Sequence, residues 1–166
     1  SDIMSERDTN WLQIFAENGQ EALDLSVLAF KIAEDKRVLL PMGVNLDGFM
    51  LTHMIEPIIF PEQEEVDKFL PPFEPQLTLD PANPVTMGPV GVPEVYLEAK
   101  IQAEQALLNS KPVVKEVLDD WGKQFGRQYE LIEKNGKADA ETLFITMGSL
   151  GETVMTAVDG LNQDGK

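Results

Sequence analysis

Two periods of apolar spacing run along this chain, and the points where one gives way to the other mark its elements. Trp11-Leu12-Gln13-Ile14-Phe15-Ala16 is short, rich in β-forming side chains and stopped by Asn18-Gly19, which predicts a buried strand. From Gln20 the spacing widens. Ala22, Leu23, Leu25, Val27, Leu28, Phe30, Ile32 and Ala33 leave Glu21, Asp24, Lys31 and Glu34 to solvent, as in a helix packed on a sheet. Asp35-Lys36-Arg37 closes that helix. The near-continuous apolar run over residues 38–44 then predicts a second strand, buried on both faces as in a parallel sheet. Strand, crossover helix and strand make a βαβ unit, which is right-handed in almost all proteins. In open α/β sheets ligands gather beyond the carboxyl ends of the strands, so Asp47-Gly48-Phe49 is the best-placed polar cluster of the chain.

Residues 57–93 hold nine of the 11 prolines, which excludes a regular helix or central strand except in short pieces. One short helix is predicted over 62–69. The stretch also carries Phe60, Phe69, Phe73, Leu77 and Leu79, too much apolar material for a free linker, and is expected to lie flat on a surface, its own or a partner's. Pro93 suits the first position of a helix running to about residue 108, and Ser110 is placed to cap a second one opened by Lys111-Pro112. In that second helix Val114, Val117, Leu118, Trp121, Phe125 and Tyr129 form a stripe at three- or four-residue spacing, read as core. After Asn135-Gly136, residues 141–147 predict another buried strand, leading through Gly148-Ser149-Leu150-Gly151 into a helix over 152–161.

Composition narrows the chemistry. A formal net charge of -16 over 166 residues argues against nucleic acid and anionic membrane surfaces as partners. With no Cys there is no disulfide, no thiolate nucleophile and no cysteine-ligated iron–sulfur cluster in this sequence, and one His excludes a His-rich zinc site. Neither a secretory segment nor an apolar run of membrane-spanning length stands out, which makes the cytoplasm the default. The sequence opens without Met and stops after a helix end and turn with no strand to follow, and is read as an internal piece of a longer polypeptide.

Gly148-Ser149-Leu150-Gly151 invites comparison with a phosphate-binding turn, since amides at a helix N-terminus attract anions. It lacks the Lys-Ser/Thr pair of a P-loop and a full dinucleotide fingerprint, so a tight turn is the better reading. Asp47 either orients a cofactor or caps a turn at Gly48-Phe49. His53 can titrate near neutrality, but without a visible partner it is read as structural. Arg7 and Asp8 either bind a substrate carboxylate and fix that Arg or form an ordinary surface pair. No Ser-His-Asp set or paired catalytic carboxylates can be argued from spacing.

Three stretches carry a resemblance. Ser1-Asp2-Ile3-Met4-Ser5-Glu6-Arg7-Asp8-Thr9-Asn10-Trp11 places Asp and Met before an Arg, with Asn10 standing where Gly is usual. Asp47-Gly48-Phe49-Met50-Leu51-Thr52-His53 supplies an Asp-Gly-Phe then Thr-His signature, and Pro71-Pro72-Phe73-Glu74-Pro75 with Leu79-Asp80-Pro81-Ala82-Asn83-Pro84 supplies a connector. Together they resemble the alpha subunit of the 2-oxoacid:ferredoxin oxidoreductases, the family of pyruvate synthase.

The resemblance implies an α/β fold in three parts. Residues 1–56 would end a thiamine-diphosphate pyrimidine-binding-type parallel-sheet domain, 57–93 would be the Pro-rich connector, and 94–166 a helical segment with the first strand–helix unit of a transketolase-C-terminal-like domain. It implies oxidative decarboxylation of pyruvate or a related 2-oxoacid to acyl-CoA on thiamine diphosphate, with electrons passing through 4Fe–4S clusters to ferredoxin. Coenzyme A is then a co-substrate. Mg2+ and cluster ligands are expected in the beta and other subunits or domains. Arg7, Asp47, Gly48 and Phe49 become walls of the substrate and cofactor pocket, with no catalytic base and no metal ligand among them. The rival reading is a non-catalytic acidic binding or structural module that docks through its Pro-rich connector.

Overall fold

The computed structural model describes residues 2–163; Ser1 and residues 164–166, where the sequence predicts a turn, lie outside the described residues. A turn of 3-10 helix (Asp2–Glu6) leads into strand β1 (Leu12–Phe15), helix α1 (Gly19–Ala33) and strand β2 (Met42–Asn45). The strands pair in parallel, with Leu12 opposite Met42 and Phe15 opposite Asn45. The result is a small α/β unit, and its first strand and crossover helix fall where the pattern puts them.

The second strand is shorter than its apolar run. The amides of Val38 and Leu39 both donate to the Asp35 carbonyl, at 2.8 and 3.0 Å, and Leu39 takes a left-handed φ of 47°. A residue so turned cannot continue a ladder, so the expected strand over 38–44 begins only at Met42. Val38 still contributes its side chain to the core, at 4% exposure, from the turn. Both strands are half-buried rather than enclosed, because among the described residues each has a single neighbour.

Helix α2 (Gln63–Phe69) matches the short helix expected within the proline-rich stretch and sends Phe69 into the core. Helix α3 (Pro93–Phe125) corrects the two-helix expectation: it runs unbroken through Pro112. The Ser110 hydroxyl does not open a new helix but donates to the Leu107 carbonyl at 2.7 Å within the same one. One missing amide is tolerated because Val113, Val114, Val117 and Leu118, just beyond the proline, are buried against the rest of the core. Helix α4 (Leu150–Gln163) ends the described chain. Residues 141–147 are not a strand: no described strand lies beside them, and a ladder needs a partner.

The core sits between α1 and the C-terminal half of α3, where Leu28, Ile32, Leu118 and Trp121 are almost completely buried. The Trp121 ring lies 4.0 Å from that of Phe125 and meets Phe69 edge-on at 5.1 Å. A polar knot closes one side. Asp24 of α1, with no exposure, accepts from the Arg127 guanidinium through both carboxylate oxygens, from the Tyr129 hydroxyl at 2.6 Å and from Gln20 Nε2 at 3.0 Å. Arg127 also stands 5.8 Å over the Trp121 ring. Helix α3 thus shares its core with the β1–α1–β2 unit, and the connector between them is largely exposed, with Leu79 at 81% and Val90 at 84%.

Candidate functional site

The carboxyl ends of β1 and β2 open onto the loops that follow them, and these loops are held by short side chains. After β2, Asp47 starts a tight loop in which the Leu51 amide donates to the Asp47 carbonyl at 3.2 Å and the Phe49 amide to Thr52 Oγ1 at 3.0 Å. Phe49 is left-handed, with φ 67°, and three-quarters exposed. Its ring lies 4.8 Å from that of His53, whose Nδ1 is 2.7 Å from Thr52 Oγ1. The loop therefore presents an aromatic pair held from behind by its own backbone. Gly48 has open space where a Cβ would be.

Asp47 itself points across to the start of α4. Its Oδ2 accepts from the Ser149 amide and from the Ser149 hydroxyl, both at 2.6 Å. The 148–151 segment is a tight turn, closed by the Gly151 amide donating to the Gly148 carbonyl at 2.9 Å. Of the two readings of this segment, the turn is observed, and the anion at its amides is the chain's own carboxylate. The N-terminus of α1 is filled in the same way: Asn18 Oδ1 accepts from the Glu21 amide at 2.9 Å and Glu56 Oε2 from the Gly19 amide at 2.6 Å.

Four carboxylates collect beside these turns. Glu21 is nearly buried and accepts from the Glu17 amide at 2.7 Å; Asn18 Nδ2 donates to Glu152 at 2.7 Å. Burial pushes the Glu21 carboxyl up to about 7, the Glu17 amide opposes this, and repulsion from Glu17, Glu133 and Glu152 adds to the rise. Burial and repulsion from Glu133 and Glu152 also raise Glu17. The spacing Asn18-Gly19-Gln20-Glu21 carries the sequence signal of a helix start with an acid at its third position, and that signal could have found Glu21. Nothing in the sequence pairs Asp47 with Ser149, which are 102 residues apart.

Arg7 is exposed, 3.4 Å from Asp8, and donates to the Met4 carbonyl at 3.1 Å. It precedes β1, whereas Asp47, Gly48 and Phe49 follow β2; in a parallel pair these are opposite ends of the sheet. The surface pair is the arrangement seen for Arg7 and Asp8. Asn10, the residue standing in place of a glycine, has a left-handed φ of 64°, the conformation Gly adopts freely and Asn tolerates best among the rest. Its Oδ1 accepts from Lys100 Nζ at 3.1 Å. Two open hollows of about 440 and 370 Å3 lie elsewhere, beside Glu133 and beside Phe69, and neither is lined by Arg7, Asp47, Gly48 or Phe49.

A family model described as pyruvate flavodoxin/ferredoxin oxidoreductase, thiamine diphosphate-binding, matches residues 1–119. The chain belongs to this family. It is 47% identical over 165 residues to the pyruvate synthase subunit PorA of Pyrococcus abyssi, a match covering 99% of this chain and 42% of the relative. The pyruvate synthase subunit PorA of Methanothermobacter thermautotrophicus is 43% identical over 165 residues, again with 99% of this chain and 43% of the relative covered. A ketoisovalerate oxidoreductase subunit VorA from Pyrococcus abyssi is 41% identical over 167 residues, covering 99% and 42%. The chain spans about two-fifths of the length of these curated relatives.

The family's thiamine diphosphate has a charged tail and a flat heterocyclic head, and the residues present suit only the head. A diphosphate needs free amides or cations, but the Gly19 and Glu21 amides of α1 are engaged by Glu56 and Asn18, the Ser149 amide just before α4 is engaged by Asp47, and Glu17, Glu21 and Glu152 stand beside them. Among the described residues no group of three metal-ligating side chains is placed to hold a cation for it. The exposed Phe49 ring, with His53 tilted at 31° beside it, offers an aromatic face of the kind a heterocycle packs on. No helix among the described residues is long and apolar enough to cross a membrane.

Proposed function

We propose that this chain is part of the alpha-type subunit of a 2-oxoacid:ferredoxin oxidoreductase, a cytoplasmic enzyme that converts pyruvate or a close relative to its acyl-CoA. The observation that carries the reading is the family match over residues 1–119 together with relatives named as pyruvate synthase and ketoisovalerate oxidoreductase subunits. Of the two Pyrococcus abyssi subunits, the pyruvate synthase one is the more similar, at 47% against 41%, which favours pyruvate. The alternative of an acidic docking module without chemistry has no support in those relatives.

Bound thiamine diphosphate supplies the electron sink that lets a 2-oxoacid lose its carboxylate. The contribution of this chain is positioning and exclusion of water. Phe49 and its loop form one wall of the heterocycle's pocket, Asp47 and Gly48 shape its rim, and Arg7 supports the assembly from the far end of β1. Mg2+, the iron–sulfur clusters, the coenzyme A site and the ferredoxin contact belong to other parts of the subunit and to the beta and other subunits. Residues 1–56 end the pyrimidine-binding-type domain, 57–93 connect it across the complex, and 94–166 lead, after α3 has packed on α1, into a transketolase-C-terminal-like domain. The exposed apolar side chains of the connector support a path over a surface this chain does not itself provide.

The test is a panel assay on the native complex purified through this subunit, following viologen reduction with each 2-oxoacid, with and without coenzyme A and thiamine diphosphate. Reduction that requires thiamine and one oxoacid is expected. An intact complex silent with every oxoacid overturns the reading. In the active complex, Asp47→Ala is expected to lower turnover.

A further inference from the structure

The two glycines of the 148–151 turn are each faced by a carboxylate from the end of a different strand. A Cβ on Gly148 would stand 2.6 Å from Asp47 Oδ2, and one on Gly151 would stand 2.8 Å from Glu17 Oε1. Gly148 also has a left-handed φ of 68°. The left-handed backbone demands glycine at 148, where a Cβ would also crowd the Asp47 carboxylate; at 151 a Cβ would meet only the movable end of Glu17. Asp47 follows β2 and Glu17 follows β1, so the turn is received by both strands of the sheet. A third link, from Asn18 to Glu152, fixes the first turn of α4.

This arrangement differs from an anion site. The Ser149 amide and hydroxyl, just before α4, are satisfied from within the chain, by a carboxylate 102 residues away. A helix normally carries its N-cap on the residue just before it. Ser149 stands in that place, yet its hydroxyl donates to Asp47 instead of accepting from α4. The residue that leads into α4 is thus held by the loop that carries Phe49.

We propose that Asp47 is a positioning residue, a latch that docks the 148–151 turn and α4 onto the carboxyl edge of the β1–β2 sheet. Gly148 is the seat that lets the latch close. The latch stands independently of any ligand; only its importance for turnover rests on the pocket reading above.

The experiment uses the full-length subunit in its assembled complex. Hydrogen exchange is followed at the amides of 149–156 in Asp47→Ala, Asp47→Asn, Ser149→Ala and Gly148→Ala, with thiamine diphosphate affinity and turnover measured alongside. Loss of the acceptor for Ser149 and of a favourable charge beside a helix N-terminus is expected to speed exchange over 149–156 about tenfold in Asp47→Ala. Asp47→Asn keeps an acceptor for the Ser149 amide and is expected to recover part of the protection. Ser149→Ala, which loses only the hydroxyl donor, is expected to show a smaller increase. Gly148→Ala blocks the seat with Asp47 intact; it is expected to match Asp47→Ala, and the double variant to be no worse than either. Should Gly148→Ala fail to assemble, the Asp47→Asn and Ser149→Ala comparison decides alone. Unchanged exchange over 149–156 in Asp47→Ala overturns the latch, whatever happens to turnover. Faster exchange with unaltered turnover and thiamine affinity supports the latch and overturns the pocket reading of Asp47.

Discussion

Asp24 and Asp47 are both carboxylates that tie together segments about a hundred residues apart, and they do so by opposite means. Asp24 is fully buried and meets a cation, a phenol and an amide; Asp47 meets only the backbone and hydroxyl of one serine. Around Asp24 charge is balanced. The turn that Asp47 holds lies among further acids, with Glu17 against Gly151 and Glu152 in the first turn of α4. The first region is built to stay shut. The second holds its geometry through hydrogen bonds against mutual repulsion, and should yield first when conditions change.

The sharpest way to break the comparison is to strip the cation from the first region. Arg127→Ala leaves Asp24 charged and buried without its main partner, and is expected to destabilise the full-length subunit by about 3–5 kcal/mol in chemical denaturation. Trp121→Ala, in the same region, removes the largest fully buried side chain and is expected to cost about 3–5 kcal/mol as well.

The second region should respond to pH near neutrality. The fold raises the Glu21 carboxyl from 4.5 to about 7, so the folded state takes up a proton that the unfolded state releases. The stability this group gives is fully present below pH 4.5 and is lost as pH rises through 7. Glu21→Gln is therefore expected to be more stable than the parent at pH 8, by about 1 kcal/mol after solvent screening, and to match it at pH 4. Thermal melts of the two at both pH values check the sign. The smallest effect is expected at the surface: Lys115→Ala, which breaks an exposed pair with Asp119 at 3.5 Å, should change stability by less than about 0.5 kcal/mol.

The same contrast explains what could be read in the sequence. Periodicity reports burial of apolar residues, so β1, α1, α2 and the Trp121 stripe were legible, and so was the core role of Val38; it misplaced Glu21 and Asp24, assigned to the solvent face of α1 but buried, because the Glu17 amide, Arg127 and Tyr129 that receive them lie outside the helix. Periodicity does not report backbone hand, so the left-handed Leu39 that shortens β2 was invisible. Pro112 and Ser110 carry the local chemistry of a helix boundary, and the burial of Val113 through Leu118 overrides it. Residues 141–147 have the composition of a strand but no neighbour to pair with among the described residues. At the site, the position of Asp47 after a strand was legible, while its partner was not, because a contact across 102 residues leaves no spacing to recognise. The family resemblance pointed to the same oxidoreductases that the relatives represent.

The unbroken helix α3 has a mechanical side. Its 33 residues make a rod of about 50 Å. Past Pro112 the rod is gripped by the core; before it, the shaft stands largely in the open, with Lys100 as a stay tied to the Asp8 carbonyl at 3.2 Å and to Asn10. Bending stiffness is lowest where a rung of the hydrogen-bond ladder is missing, and that is at the mouth of the grip. A deflection of 5° there swings the far tip, about 28 Å away, by about 2.5 Å, and the stay carries part of that swing to the loop that opens the sheet.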